Sequence, residues 1–400
     1  MDRIIFHIDV NSAFLSWTAC DLINKGYKYD IRNSYAIICG DPEKRAGIVL
    51  AASIPAKKMG IKTAETIYNA TKKCRVLKCY KSDYKLYETM SKQFIDLIKK
   101  YTPDVEQVSI DECFVDYTPV KKIYGDQFLF AKKIQKEIFD TLGFTVNIGI
   151  ANNKLCAKMA SDFSKPNKIH TLYKNEIENK MFDLDIGDLF GVGKKTAEKL
   201  KEKNILKVKH LATSNPYDLK SIFKNNALEM IKKANGIDDS IVDSTNHDLK
   251  GIGNEITLDH DIKEKEELNH YLLQLSELVA LRLRKSNKYA NVVVVTLKDN
   301  KFRRKSHQIK LKNATNQTNE IYKTTKIILN EMIIDEPIRL IGVRLDDLKE
   351  NINYQISLFD EKIETKESDL DKVVDNLKDK FGNKIIKKAS LSEMREKNER

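Results

Sequence analysis

The strongest condition on how this chain folds comes from carboxylates that stand far apart in the sequence. Asp9 closes the apolar run Ile4-Ile5-Phe6-His7-Ile8-Asp9. A second run, Ser109-Ile110-Asp111-Glu112-Cys113-Phe114-Val115-Asp116, places Asp111 and Glu112 between two apolar stretches, Val105–Ile110 and Cys113–Val115. This is the pattern of two strands joined in a hairpin, with acidic groups at the junction and an apolar sheet beneath. Like charges brought into one site repel, and a divalent cation removes that repulsion. Hard oxygen ligands suit magnesium. Two such ions can hold an attacking and a leaving oxygen in line during phosphoryl transfer. Acidic residues at a strand end or in a turn are most often plain solvated surface, so the pattern gains meaning only from the rest of the chain.

A chain of 400 residues that is 41% apolar has material for several cores, about two to four domains. Its formal net charge of +12 points to a polyanionic partner. The distribution is uneven. Between Leu281 and Lys312 there are 11 Lys/Arg and one acidic residue, Asp299, whereas the remainder carries 59 basic and 57 acidic side chains. That basic segment is interleaved with strand patterns at Asn291–Leu297 and His307–Leu311, so the charge is expected on an ordered sheet. Six cysteines without a Cys-x-x-Cys pair read as buried free thiols in a reducing cytoplasm. The seven histidines have no metal-ligand spacing, and no apolar run approaches membrane-spanning length. No signal peptide is visible, because the apolar start is short and interrupted by Asp2 and Asp9.

Periodicity predicts an α+β chain. Strands are expected at Ile4–Asp9, Tyr35–Cys39, Gly47–Ala52, Val76–Cys79, Val105–Ile110, Cys113–Asp116 and Thr145–Ile150. Helices are expected at Ser12–Lys25, Asp83–Tyr101, Asp126–Leu142 and Asn153–Phe163. From Tyr173 to Asp239 the pattern turns helical. It contains Asp188-Leu189-Phe190-Gly191-Val192-Gly193-Lys194-Lys195-Thr196-Ala197, which reads as helix, tight turn, helix. Gly191 and Gly193 allow a sharp turn and close backbone approach. The free N–H groups that open the second helix suit a phosphate, and Lys194 and Lys195 add charge. A plain αα-hairpin is the competing reading. After a polar linker, a second α+β unit follows in the order strand, helix, strand, strand, helix, strand, with strands near Gly253–Leu258, Asn291–Leu297, Phe302–Leu311 and Ile338–Leu345.

The runs I-D-V-N-S-A-F, S-I-D-E-C-F-V-D and N-K-L-C-A-K-M-A-S-D-F-S-K-P-N, followed by the helix-hairpin-helix pattern, resemble the Y-family translesion DNA polymerases, in the bacterial branch of DNA polymerase IV and UmuC. The resemblance implies a right-hand architecture: palm at 1–12 and 78–172, fingers at 13–77, helical thumb at 173–242, linker at 243–250, an α+β little finger at 251–349, and a tail at 350–400. It implies template-directed synthesis with two Mg2+ ions, Mn2+ being able to substitute; no exonuclease-like stretch of carboxylates is left over in the chain, so proofreading is not expected. The implied metal ligands are Asp9, Asp111, Glu112 and the main-chain carbonyl of Val10. Phe14 is the implied steric gate against a ribose 2′-hydroxyl, and Lys165 the implied triphosphate contact. The sequence departs from the family where Tyr and Arg are common in the fingers. Here Ile54 and Lys57 stand in those places; Lys57 keeps the charge and loses the bidentate fork. Ala13 likewise replaces an aromatic often found beside the gate.

The implied partners are primer–template DNA, deoxynucleoside triphosphates and the bacterial sliding clamp; a cytoplasmic monomer with no membrane association is expected. Backbone contacts to DNA are expected from Gly191, Gly193, Lys194 and Lys195 in the hairpin, and from Arg284, Lys288, Arg303, Arg304 and Lys305 in the basic segment. In the tail, Gln355, Leu358 and Phe359 resemble the Gln-x-x-Leu-Phe peptide by which bacterial polymerases dock on the clamp. A DNA-binding scaffold, a palm-based cyclase and a hairpin-bearing nuclease are the competing readings. The three carboxylates argue against the first. The hairpin and basic sheet argue against the second, and a nuclease would degrade DNA with no nucleotide present.

Overall fold

The computed structural model describes residues 3–41, 47–245, 249–350, 365–382 and 385–386. They divide into two compact units, Met1–Asn246 and His247–Arg400.

In the first unit a five-stranded sheet has the order β5-β6-β1-β7-β8. Its strands are β1 (Ile5–Val10), β5 (Val105–Gln107), β6 (Glu112–Asp116), β7 (Val146–Ala151) and β8 (Ile169–Leu172). β1 is central because it can be covered on both faces: Ile4, Phe6, Ile8 and Val10 enter one core, and Ile5 enters another. Side chains alternate across a strand, so His7 and Asp9 share the second face with Ile5. The first core is filled from the helices Tyr84–Lys99 and Gln127–Leu142, through Phe94, Ile95, Ile98, Phe130, Ile134 and Ile138. The second is covered by the short helix Lys154–Asp162, through Leu155, Cys156 and Met159. Asn153 caps that helix, its side chain accepting the Cys156 N–H at 2.8 Å.

A glycine brings the helix unusually close. A Cβ on Gly149 of β7 would lie 1.9 Å from the Ala157 carbonyl oxygen and 2.5 Å from the Ser161 nitrogen. Only a residue without a side chain admits this contact.

A small three-stranded sheet, order β3-β2-β4, holds β2 (Ala36–Cys39), β3 (Val49–Ala52) and β4 (Lys78–Lys81). β4 pairs in parallel with β2. This corrects the expected boundary at 78, since the strand closes the small sheet and not the large one. Cys79 on β4 is also exposed, unlike the other five cysteines. The helical segment after β8 includes Lys194–Glu202. The element expected before its glycine turn is a single 3₁₀ turn, Ile186–Asp188, rather than a full helix.

The second unit is a four-stranded antiparallel sheet, order β11-β10-β12-β9, made of β9 (Gly251–Ile262), β10 (Tyr289–Asp299), β11 (Arg304–Thr315) and β12 (Ile338–Lys349). Val293, Val295, Val343 and Leu345 on one face pack with Leu272, Leu275, Val279, Ile321 and Ile328 from the helices Lys265–Lys285 and Thr318–Glu331. Phe302, expected to open β11, instead sits in the preceding turn at φ 65°. A further helix, Thr365–Phe381, lies against Lys265–Lys285 through ion pairs.

Candidate active site and nucleic-acid surface

Antiparallel pairing of β1 with β6 sets Asp9 directly opposite Glu112. Like charges in that position are destabilising unless something compensates. The backbone N–H of Val10 donates to the Asp111 carbonyl at 3.0 Å, which ties the third acidic residue to the same end of the sheet. Compensation comes from two lysines. Lys165 Nζ lies 2.6 Å from Asp9 Oδ2, and Lys158 Nζ lies 2.6 Å from Glu112 Oε2. His7 Nε2 faces the same Glu112 oxygen at 3.3 Å, out of line for a hydrogen bond, and acts as a close polar contact. The His7 imidazole first, then Lys158, outweigh burial and bring the Glu112 carboxyl down to about 2. Burial has the opposite result at Asp9. Its carboxyl is raised despite Lys165, with Asp111 adding to the rise. Asp111 itself accepts from the Ser109 hydroxyl at 2.8 Å.

The donor set fits a hard divalent cation, since Asp9 and Glu112 present carboxylate oxygens on facing strands. Among the described residues, no trio of His, Cys, Asp or Glu side chains converges as a ligand cluster; ammonium groups stand against two of the carboxylates.

The loop that carries Lys165 is fixed by buried amides. Asn147, fully buried, donates to the carbonyls of Ser161 and Ser164 at 2.9 and 2.6 Å, and accepts from Asn11 Nδ2 and the Lys168 N–H, both at 3.1 Å. Asn11 Oδ1 accepts the Asn167 N–H at 2.8 Å and the Thr145 hydroxyl at 2.9 Å. The Lys165–Pro166 peptide inside this loop is cis. Burial would depress the Lys165 ammonium; Asp9 and Asp162 outweigh it and raise it. Lys57 is lowered, first by burial and then by Lys165, and donates to the Ser12 hydroxyl at 2.9 Å. Ser12, Ile54, Lys57 and Lys165 line one cleft of about 380 Å³ with Asn11 and Arg32.

Phe14 is on the first turn of the helix Ala13–Asn24. Its half-buried ring stacks on Tyr87 at 4.4 Å between centroids and 9° between planes, with Trp17 and Tyr84 at 6.1 and 6.0 Å. Tyr87 is itself anchored by the Thr18 hydroxyl at 3.0 Å. The Phe14 ring therefore has a fixed position.

At the glycine turn, Gly191 needs its positive φ of 96°, whereas a Cβ at Gly193 would meet open space. Lys194 and Lys195 are exposed where the helix Lys194–Glu202 begins. In the second unit the strand register sorts the basic residues. Arg304 lies opposite Lys298, and Lys310 opposite Val292, on the sheet face away from the helices, with Arg344 opposite Val294. Lys305 is on the helix face, 2.9 Å from Asp335. Arg303 closes the turn on Asp299 at 2.7 Å, and Arg304 pairs with Glu255.

Two of the residues expected to meet DNA, Arg284 and Lys288, are engaged in ion pairs. Arg284 is only 12% exposed and holds Asp375 with Nε at 2.6 Å and Nη2 at 2.9 Å, and Asp371 with Nη1 at 3.1 Å. Lys288, 15% exposed, lies 2.9 Å from Glu350. Arg284 is thus held by two carboxylates of the helix Thr365–Phe381, and Lys288 by the exposed carboxylate of Glu350. Gln355, Leu358 and Phe359 lie outside the described residues.

Sequence reasoning missed His7, Asn147, Lys158 and Ser161. Lys158 and Ser161 stand inside A-K-M-A-S-D, where a lysine in a helix gives no signal until its partner across the sheet is known.

The chain was compared with known proteins. The impB/mucB/samB family matches at residues 8–162, its C-terminal domain at 249–358, and the IMS family HHH motif at 174–205. DNA polymerase IV of Clostridium acetobutylicum is 44% identical over 398 residues, covering 99% of this chain and 100% of the relative. Among solved structures, a Y-family DNA polymerase chimera of Dbh and Dpo4 superposes with a TM-score of 0.77 at 26% identity, covering 87% of this chain and 100% of the other. A Dbh ternary complex with partially disordered substrates gives 0.59 at 26% identity, covering 86% and 98%.

Proposed function

Because the chain belongs to the impB/mucB/samB family and is a Y-family DNA-directed DNA polymerase of the DNA polymerase IV group, we propose that its translesion synthesis runs on a divalent-cation site made by Asp9, Asp111, Glu112 and the main-chain carbonyl of Val10. The observation that carries this reading is the facing pair Asp9 and Glu112, each matched by a lysine at 2.6 Å. Two magnesium ions, with manganese able to substitute, would supply acidification of the primer 3′-hydroxyl and neutralisation of the triphosphate.

The protein's own residues do the positioning. Lys165 and Lys57, on one cleft, grip the triphosphate; burial strengthens their attraction for it. Lys57 acts as a point charge, and Ile54 beside it offers only apolar contact. Phe14, braced on Tyr87, closes the space a 2′-hydroxyl would need. Asn11 and Asn147 hold the Lys165 loop in register with β1.

Backbone contacts to primer–template DNA come from Gly191, Gly193, Lys194 and Lys195 and from the open face of the second sheet, led by Arg304. Such contacts position a duplex without reading its sequence. The proposal includes synthesis without proofreading by a cytoplasmic monomer, recruited to the sliding clamp through Gln355, Leu358 and Phe359. Support for the clamp comes from the Gln-x-x-Leu-Phe sequence alone.

Primer extension with magnesium and all four deoxynucleotides tests the reading. Template-directed extension is expected. Degradation of DNA without nucleotides, or a cyclic nucleotide product, would replace the polymerase reading with a nuclease or a cyclase.

A further inference from the structure

The helix Lys154–Asp162 carries two lysines one turn apart, and their partners differ in kind. Lys154 Nζ lies 2.7 Å from both oxygens of Glu106 and 3.3 Å from the Ile241 carbonyl. Glu106 also accepts the Asp243 N–H at 2.8 Å. Lys154 is therefore a structural tie. Lys158, 15% exposed, has Glu112 as its carboxylate at 2.6 Å. Its ammonium also lies 5.3 Å from the centre of the Phe190 ring. Phe190 is 46% exposed, immediately precedes Gly191, and its backbone N–H reaches Met159 Sδ at 3.3 Å. Lys158 thus stands between a proposed cation ligand and the glycine turn proposed to meet DNA.

We propose that Lys158 is a phosphodiester-binding residue held in reserve. Its ammonium neutralises Glu112 while no divalent cation is bound, and passes to a backbone phosphate of the bound DNA strand when a cation engages Glu112. This rests on the reading above, in which Glu112 binds a cation and the Gly191–Gly193 turn approaches DNA.

Three physical arguments support the transfer. A cation on Glu112 repels a second positive charge at the same carboxylate, and a lysine ammonium on a flexible stem is easily displaced. Once displaced, a largely buried ammonium without a partner is costly; the Phe190 face offers a resting place, and a phosphate offers full compensation. Lys165 shows the contrast. It lies 2.6 Å from Asp9 and 2.8 Å from Asp162, so it keeps a carboxylate when Asp9 is engaged. Lys158 has no second carboxylate in ion-pair range among the described residues.

The experiment is equilibrium binding of a primer–template duplex to the full-length wild type, Lys158→Ala and Lys158→Arg across a salt series, in magnesium and in EDTA. In magnesium, Lys158→Ala should bind several-fold more weakly, with a salt slope smaller by about one. Lys158→Arg should restore the slope. In EDTA, wild type and Lys158→Ala should share one slope, because the lysine is then spent on Glu112. Glu112→Gln should show the larger, magnesium-type slope even in EDTA. Equal slopes in magnesium, or the same difference in EDTA as in magnesium, would overturn the proposal. Thermal unfolding separates misfolded variants, and Glu112→Gln keeps the test alive should Lys158→Ala fail to fold. A wild type that binds DNA with the predicted slopes but extends no primer would refute the polymerase reading instead.

Discussion

Replacing Gly149 with alanine tests whether close approach of one helix builds the site. Gly149 is opposite His7 in the β1–β7 register. The new Cβ would lie 1.9 Å from the Ala157 oxygen and 2.5 Å from the Ser161 nitrogen. Both are helix backbone atoms and cannot rotate away. Restoring ordinary contact needs a helix displacement of about 1.5 Å in a close-packed interior. Overpacking of this kind costs ~1–3 kcal/mol, and a backbone obstruction belongs at the upper end. At ~3 kcal/mol the melting temperature of the first unit should fall by about 6–12 °C. The displaced helix also carries Lys158 and Ser161, whose contacts to Glu112 and His7 are 2.6 and 2.7 Å. A shift of that size breaks both, and misplacement near 1 Å at a site lowers turnover by about 10²-fold. Calorimetry and single-turnover primer extension, run well below the transition, measure the two effects separately. A variant with wild-type melting and wild-type turnover would refute the argument.

Asn147→Ala removes four hydrogen bonds, two of them fully buried, and should cost ~2–4 kcal/mol; because it loosens the Lys165 loop, steady-state kinetics should show KM for the nucleotide rising more than kcat falls. Phe14→Ala should raise ribonucleotide incorporation relative to deoxynucleotide incorporation in a competition assay, and an unchanged ratio in a folded variant would remove Phe14 from that role. Arg284→Ala should speed proteolysis of the helix Thr365–Phe381 and leave DNA affinity unchanged. A drop of about one in the salt slope of that variant would instead make Arg284 a phosphate contact.

Regular periodicity made the α+β layout legible. β1, the helix Tyr84–Lys99 and the strand–helix–strand–strand–helix–strand order of the second unit all stand close to where the apolar pattern places them. Strand β8 was missed because Ile169–Leu172 is a short edge strand with three half-buried residues and no alternation to detect. The carboxylates were legible because strand ends flank them. Their companions were not: Lys158, Asn147 and His7 are polar residues whose purpose depends on partners across the sheet, and no local pattern encodes that. Arg284 shows the converse. Its basic neighbourhood suggested a DNA surface, while the acidic stripe Asp371, Asp375 and Asp379, far along the chain, takes up that charge: Arg284 meets the first two, and Lys285 lies 2.5 Å from Asp379.

The central claim is that Asp9, Asp111 and Glu112 form one cation site for nucleotide transfer. Its most direct test is extension of a primer by Asp111→Ala at saturating DNA and nucleotide, titrated with magnesium, beside the affinity of the same variant for primer–template. The account predicts that extension is abolished at every magnesium concentration while DNA affinity stays close to wild type. Wild-type extension rates in Asp111→Ala would contradict it.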